Sequence, residues 1–185
     1  MPLVWLGRLR GFPLKRRVYG PELMLEFCRA TVRKGYRHFF YGGTPGVADE
    51  LAAKLARQFP GLQVVGVFSP PFRPLTPDED AQVARRIRDA QPDVLWVGLS
   101  TPKQERWMYE HRESVEAPVM VGVGAAFDLN TGRLRQAPRW MREHGLEWLW
   151  RLLMEPRRLW RRYLLGGAEF VWWVVLEFVG LKKFA

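Results

Sequence analysis

Cysteine and histidine are nearly absent from this chain of 185 residues, which has one cysteine and three histidines. A lone Cys28 permits no internal disulfide, so packing alone must hold the fold, and a reducing setting suits it. Cys28 falls among helix-patterned apolar residues, where a thiol is structural rather than nucleophilic. His38, His111 and His144 are scattered, with no cysteine or carboxylate at ligand spacing, which argues against a metal centre. His38 opens an apolar run and reads as a core residue. Acidic residues are missing from the first 20 positions. Internal repeats and low-complexity linkers are missing too. The first 20 residues have no unbroken apolar stretch before a small-residue cleavage site and do not read as a secretory signal.

What is present is basic charge, unevenly spread. The formal net charge is +10. Arg8, Arg10, Lys15, Arg16 and Arg17 crowd the start, and residues 133–163 hold nine Arg against three Glu. The middle is nearly balanced. Such clustering suits an anionic partner: nucleic acid, a phospholipid surface or a phosphorylated substrate. With 48% apolar residues the chain is globular, and it is long enough for one proper core.

Four apolar runs, 38–41, 63–68, 94–99 and 119–123, read as buried strands. Helix-period patterns at 21–34, 46–59, 77–90 and 102–114 separate them. This alternation predicts an α/β fold: a Rossmann-like parallel sheet with helices on both faces, and ligands at the carboxyl ends of the strands. Thr76, followed by Pro77 and with Glu79 at the capping-box position, marks one helix start. Residues 69–74 form a stiff, proline-rich loop. From Gln136 onward the pattern is helical, and six of the nine tryptophans fall at or after Trp140. Residues 1–135 are therefore expected to form the core and residues 136–185 a basic, Trp-rich helical appendage.

Three strand ends carry chemistry. After the third run come Ser100-Thr101-Pro102-Lys103-Gln104-Glu105-Arg106, with Pro102 suited to the first turn of a helix and four polar side chains projecting at a crevice. After the first run, Tyr41-Gly42-Gly43-Thr44-Pro45-Gly46 opens a helix, either as a phosphate contact or as a tight strand–helix turn. After the fourth, Gly122-Val123-Gly124-Ala125-Ala126-Phe127-Asp128 places a carboxylate where ribose hydroxyls or a base could donate to it. Asp78-Glu79-Asp80 resembles a metal-holding acidic triplet, but on the first turn of a helix acids simply favour the dipole.

The C-terminal part reads as a surface that meets lipid rather than nucleic acid. Arg157, Arg158, Arg161 and Arg162 fall on one side of a helix opened by Pro156, with Leu159, Trp160 and Tyr163 on another. Residues 163–181 are apolar apart from Glu169 and Glu177, and those acids favour lying on a membrane over crossing it. A continuous apolar band such as 170–176 serves lipid; a nucleic-acid surface has little use for one.

Taken in order, these motifs resemble the WecG/TagA/CpsF family of bacterial glycosyltransferases, from near residue 1 to about Gly167. The resemblance rests on Arg17-Val18-Tyr19-Gly20-Pro21-Glu22-Leu23, the Gly42-Gly43 turn, Pro92-Asp93, Pro102-Lys103-Gln104-Glu105 and the Gly122 to Asp128 segment. It continues through Ala137-Pro138-Arg139-Trp140, Gly145-Leu146-Glu147-Trp148-Leu149-Trp150-Arg151 and Glu155-Pro156-Arg157-Arg158. It implies an inverting transferase that needs no metal and no cofactor. The sugar, N-acetylmannosamine or its uronic acid, would move from a UDP donor to a polyprenyl-diphosphate-linked N-acetylglucosamine, in cell-surface polysaccharide or teichoic acid synthesis. It further implies a cytoplasmic enzyme, peripheral on the inner face of the membrane. Among site residues it implies Arg17 on the donor diphosphate and Gln104 and Glu105 on substrate. Gly20, Gly42, Gly43, Thr101 and Lys103 would lie around the donor, with Asp128 at its nucleoside part. Arg151, Arg157, Arg158, Arg161 and Arg162 would face lipid phosphates or the acceptor diphosphate.

The family's general base is an aspartate in an Asp-Gly pair, and in this chain that pair would fall before Met1. The expectation is an N-terminally incomplete chain whose own catalytic residue is unknown. The alternative is a short, catalytically impaired module that binds nucleotide-sugar or membrane. An incomplete sheet would expose apolar surface and favour self-association.

Overall fold

The computed structural model describes residues 2–14, 17–179 and 181. In chain order its elements are α1 (Pro2–Leu9), α2 (Gly20–Thr31), β1 (Arg37–Gly42), α3 (Val47–Gln58), β2 (Gln63–Phe68), α4 (Pro77–Asp89), β3 (Val94–Gly98) and α5 (Lys103–His111). Then follow β4 (Val119–Gly122), α6 (Ala126–Thr131), α7 (Arg139–Glu143), α8 (Glu147–Met154), α9 (Pro156–Trp160) and α10 (Gly166–Phe178). A 3-10 turn, Val32–Lys34, extends α2, and a π-helical stretch, Arg161–Leu165, links α9 to α10. The chain divides into two compact units, one of residues 18–135 and one of residues 1–17 with 136–185.

The first unit is built on a four-stranded, all-parallel sheet of order β2-β1-β3-β4. Helices cover both faces, so the central strands are largely apolar, as a sheet shielded on both sides requires, with His38 the polar residue buried among them. Successive side chains still part to opposite faces. Phe40, Val94 and Trp96 pack with Met24 and Cys28 of α2, Val47 and Leu51 of α3, and Phe127 of α6. Phe39, Tyr41, Leu95 and Val97 pack with Val83 and Ile87 of α4 and Trp107 of α5. The predicted strands are found, with ends shifted by at most a residue. Cys28 is fully buried, and burial pushes its thiol up to about 12.

Several polar groups inside this core are paired, while the buried Trp107 Nε1–H finds no hydrogen-bond partner among the described residues. Trp96 Nε1 donates to His38 Nδ1 at 3.1 Å, which leaves the ring proton on Nε2, 3.0 Å from Thr31 Oγ1. The Thr31 hydroxyl in turn donates to the Phe27 carbonyl at 2.7 Å. Burial lowers His38 to about 4, so the ring is neutral at physiological pH. Asn130 of α6 donates to the Pro21 carbonyl at 3.3 Å, tying α6 to α2. At the start of α4, Thr76 and Glu79 form the full capping box.

The second unit is helical. Glu147, at the start of α8, is buried and carries Arg17 on one oxygen and Arg151 on the other, the latter at 2.9 Å. The two acids of the apolar C-terminal stretch are also engaged: Glu177 with Arg10 at 2.7 Å and Glu169 with Trp173 Nε1 at 3.3 Å. Large apolar side chains remain exposed along α8 to α10, among them Trp148, Trp160, Phe170, Trp172 and Phe178. Among the described residues no helix is long and apolar enough to cross a membrane.

Candidate functional site

The strand order dictates where a ligand can enter. From β1 the chain moves outward to β2, then returns to the other side of β1 to lay down β3. At such a reversal the connections leave in opposite directions and open a crevice beyond the carboxyl ends of the two strands. Here those ends are Gly42 and Gly98, which sit opposite each other in the register. Gly42 has φ +131°, and a Cβ there would stand 2.6 Å from the Gly98 carbonyl, so only glycine fits. The Gly43 N–H donates to the Gly98 carbonyl at 3.0 Å. Ser69 braces the turn, donating to the Gly42 carbonyl at 3.0 Å and accepting from the Ala48 N–H at 3.4 Å.

A cavity of about 560 Å³ opens at this point, within the range of small-molecule sites. Gly43 and Thr44 line it from the end of β1, and Gly98, Leu99 and Ser100 from the end of β3. Ser100 has φ +87°, a left-handed conformation that a non-glycine residue adopts at some cost. α5 contributes Lys103, Trp107, Glu110 and His111; α6 contributes Asp128; α4 contributes Asp80. The loop 70–75, after β2, forms a further wall. The side chains of Lys103 and Asp128 make no hydrogen bond or ion pair with any described residue. A cation and a carboxylate without partners among the described residues, beside two hydroxyls and glycine backbone, suit a ligand bearing both phosphate and hydroxyl groups.

The wall between α4 and α5 is a polar network the sequence reading did not find. His111 Nε2 lies 2.7 Å from Asp80 Oδ2, and His111 Nδ1 lies 2.9 Å from the Trp107 carbonyl. The Trp107 ring stacks between His111 and Tyr41, with 4.3 Å between centroids on each side. Burial, and then the charge of Asp80, raises the Tyr41 phenol, which stays neutral. Arg73 forks onto Glu79 with two contacts of 2.6 Å, pinning the loop to α4. That pairing, with the Thr76 N–H, lowers Glu79 to about 2. Within Asp78-Glu79-Asp80, Glu79 serves as both cap and loop pin, and Asp80 as a cavity wall. Among the described residues no group of three His, Cys, Asp or Glu side chains is placed to hold a metal ion.

The expected site residues take different places. Gly43, Lys103 and Asp128 line the cavity, and Gly42 shapes its floor. Gln104 is buried: its Oε1 accepts from the Gly124 N–H at 2.8 Å and its Nε2 donates to Glu105 at 2.9 Å, so it clamps the β4–α6 turn to α5. Glu105 also accepts from Thr101 at 3.0 Å; the Gln104 amide is the main cause of its lowered pKa. Gly20 packs against Val123, where a Cβ would meet the Val123 carbonyl at 3.4 Å. Pro102 is not in the first turn of a helix. The turn at Ser100 carries it to φ −93°, ψ 9°, and α5 starts at Lys103. The four polar residues 103–106 do not share one crevice, because successive helical positions diverge by about 100°. Lys103 lines the cavity, whereas Arg106 is exposed and pairs with Glu110 at 2.7 Å.

In the helical unit, Arg17 and Arg151 are both held by Glu147, and Arg157 and Arg161 are exposed. Arg161 also lies over the Trp160 ring, 5.3 Å from its centroid. The side chains of Arg158 and Arg162 lie outside the described residues.

Residues 1–183 match the model of the glycosyl transferase WecG/TagA/CpsF family. The chain is 33% identical over 162 residues to an N-acetylglucosaminyldiphosphoundecaprenol N-acetyl-beta-D-mannosaminyltransferase of Bacillus spizizenii, covering 88% of this chain and 61% of that protein. It is 30% identical over 162 residues to the protein of the same name in Bacillus subtilis, with the same coverage. For that of Staphylococcus aureus strain MW2 the identity is 32% over 149 residues, covering 80% of this chain and 57% of that protein. The chain thus spans about three fifths of the length of these relatives. It belongs to the WecG/TagA/CpsF family of glycosyl transferases.

Proposed function

We propose that this chain carries the donor-binding part of an inverting glycosyltransferase. N-acetylmannosamine passes from UDP to a polyprenyl-diphosphate-linked N-acetylglucosamine, as in bacterial teichoic acid and related cell-surface polymers. The observation that carries this reading is the cavity at the strand-order reversal, where the Lys103 and Asp128 side chains have no partner among the described residues. The printed names of the relatives, which specify mannosaminyl transfer to a diphosphoundecaprenol acceptor, support the choice of sugar and acceptor.

In an inverting displacement the acceptor hydroxyl attacks the anomeric carbon as the diphosphate departs from the opposite side. The departing charge must be met by cations and N–H donors, and Lys103, with the backbone N–H groups at Thr44, Leu99 and Ser100, supplies both. Asp128 accepts from hydroxyls of the nucleoside part. Gln104 and Glu105 keep the turn at Gly124 in place. No metal enters this scheme.

The helical unit is the membrane-facing part. Its exposed Trp148, Trp160, Phe170 and Trp172, together with exposed Arg157 and Arg161, are the combination that anionic interfaces take up. This exposed set supports a position at the inner face of the cell membrane, where a lipid-linked acceptor would lie.

The test is UDP release with a polyprenyl-diphosphate-linked N-acetylglucosamine acceptor, measured for this chain and for a version extended to the relatives' length. Acceptor-dependent release by either supports a transferase. UDP binding without release by both leaves a nucleotide-sugar-binding module in its place. Co-sedimentation with anionic vesicles tests the membrane role.

A further inference from the structure

The cavity is chemically different at its two ends. Lys103, Trp107, Glu110 and His111 fall on one face of α5, at positions i, i+4, i+7 and i+8. At 1.5 Å per residue, Lys103 and Glu110 stand about 10 Å apart along the helix axis. The Lys103 end is the one beside the glycine turn and Ser100. The other end carries two carboxylates, Asp80 and Glu110, with the loop 70–75 pinned beside them through Arg73 and Glu79.

At that second end Asp80 is held by His111 through Oδ2, at 2.7 Å, while Oδ1 has no hydrogen-bond partner among the described residues. Phe72 lines the same cavity and is 87% exposed, although the flanking prolines and the Arg73 fork fix its loop. An open aromatic face beside a carboxylate with a free acceptor suits a flat or ring-shaped neutral group that donates hydrogen bonds. It repels phosphate, which has Lys103 to go to.

We propose that Phe72 and Asp80 form a subsite for the neutral ring of the donor, with Phe72 stacking on it and Asp80 accepting from its hydroxyls or N–H groups. The ligand then lies along α5 with its phosphates at the Lys103 end. This rests on the nucleotide-sugar reading above and adds to it the orientation of the ligand and two residues that select for a neutral ring.

The test is calorimetric titration of the full chain, Asp80→Asn and Phe72→Ala with UDP, UDP-N-acetylmannosamine and inorganic pyrophosphate. Asp80→Asn keeps the shape and an acceptor for His111, and Phe72→Ala removes an exposed ring that the core does not use. Each variant is expected to weaken nucleotide binding, Asp80→Asn by about tenfold or more, with pyrophosphate changed by less than about twofold. Equal loss for UDP and UDP-N-acetylmannosamine assigns the base to this end; loss for UDP-N-acetylmannosamine alone assigns the sugar. Unchanged nucleotide affinity in Asp80→Asn overturns the proposal, and so does an equal loss for pyrophosphate. Wild-type protein that binds neither nucleotide defeats the nucleotide-sugar reading itself, and the subsite with it.

Discussion

Tryptophan has opposite fates in the two units. In the sheet unit Trp96 is 1% exposed and Trp107 8%, whereas in the helical unit Trp140 is 58% exposed, Trp148 41% and Trp172 60%. The first two pack into the two faces of the sheet, and Trp96 has a hydrogen-bond partner for its indole N–H. The others leave large apolar area in water, at about 25 cal/mol for each Å² not removed from it. One unit has buried its tryptophan rings internally. The other holds them available, and a lipid interface is the partner that its arginines and tryptophans together suit.

Substitutions can break or sharpen this contrast. Trp96→Ala empties the centre of the sheet unit and strips His38 of its donor, so a loss of about 3–5 kcal/mol in urea unfolding is expected. Acid should act on the same spot. His38 is held near 4 when folded and returns to about 6.5 when unfolded, so below pH 6.5 the unfolded chain binds the extra proton first. Stability contributed by keeping the ring neutral is complete above pH 6.5 and falls as pH drops towards 4, by up to about 3 kcal/mol. Thermal melts of wild type and His38→Gln at pH 7 and pH 4.5 check the sign: the wild type should lose more on acidification.

Gly42→Ala sets a Cβ against the Gly98 carbonyl at a positive φ, and about 2 kcal/mol or more should be lost, together with nucleotide binding. Thr76→Ala removes half of the capping box of α4 and should cost about 1 kcal/mol, read by the same unfolding curves. Trp172→Ala should change stability by less than about 0.5 kcal/mol, yet reduce co-sedimentation with anionic vesicles. If it unfolded the protein as Trp96→Ala does, the contrast between the units would be false.

Much of the sheet unit was legible in the sequence because its signals are local. A strand buried on both faces is an unbroken apolar run, and 38–41, 63–68 and 94–99 are nearly that. The cap at Thr76 was legible for the same reason. The residues lining the cavity were legible only where they follow a strand end within a few positions, as at Gly43, Lys103 and Asp128. Asp80 and His111 stand 31 positions apart and meet only because α4 and α5 cover the same face of the sheet. Ser69 joins the turn at Gly42 through a crossover that no spacing rule describes. Gln104 shows the converse: a polar residue at a strand end reads as a ligand contact until its amide is found on Gly124. One helical signal was available and unused, the 103, 107, 110, 111 face of α5.

The central claim is that the nucleotide binds at the reversal between β1 and β3. Hydrogen–deuterium exchange with and without UDP tests it most directly. Slower exchange on UDP binding at residues 41–44, 98–104 and 124–128, with residues 140–178 unchanged, is the predicted result. Protection confined to 140–178, or none at the three strand ends, would contradict it.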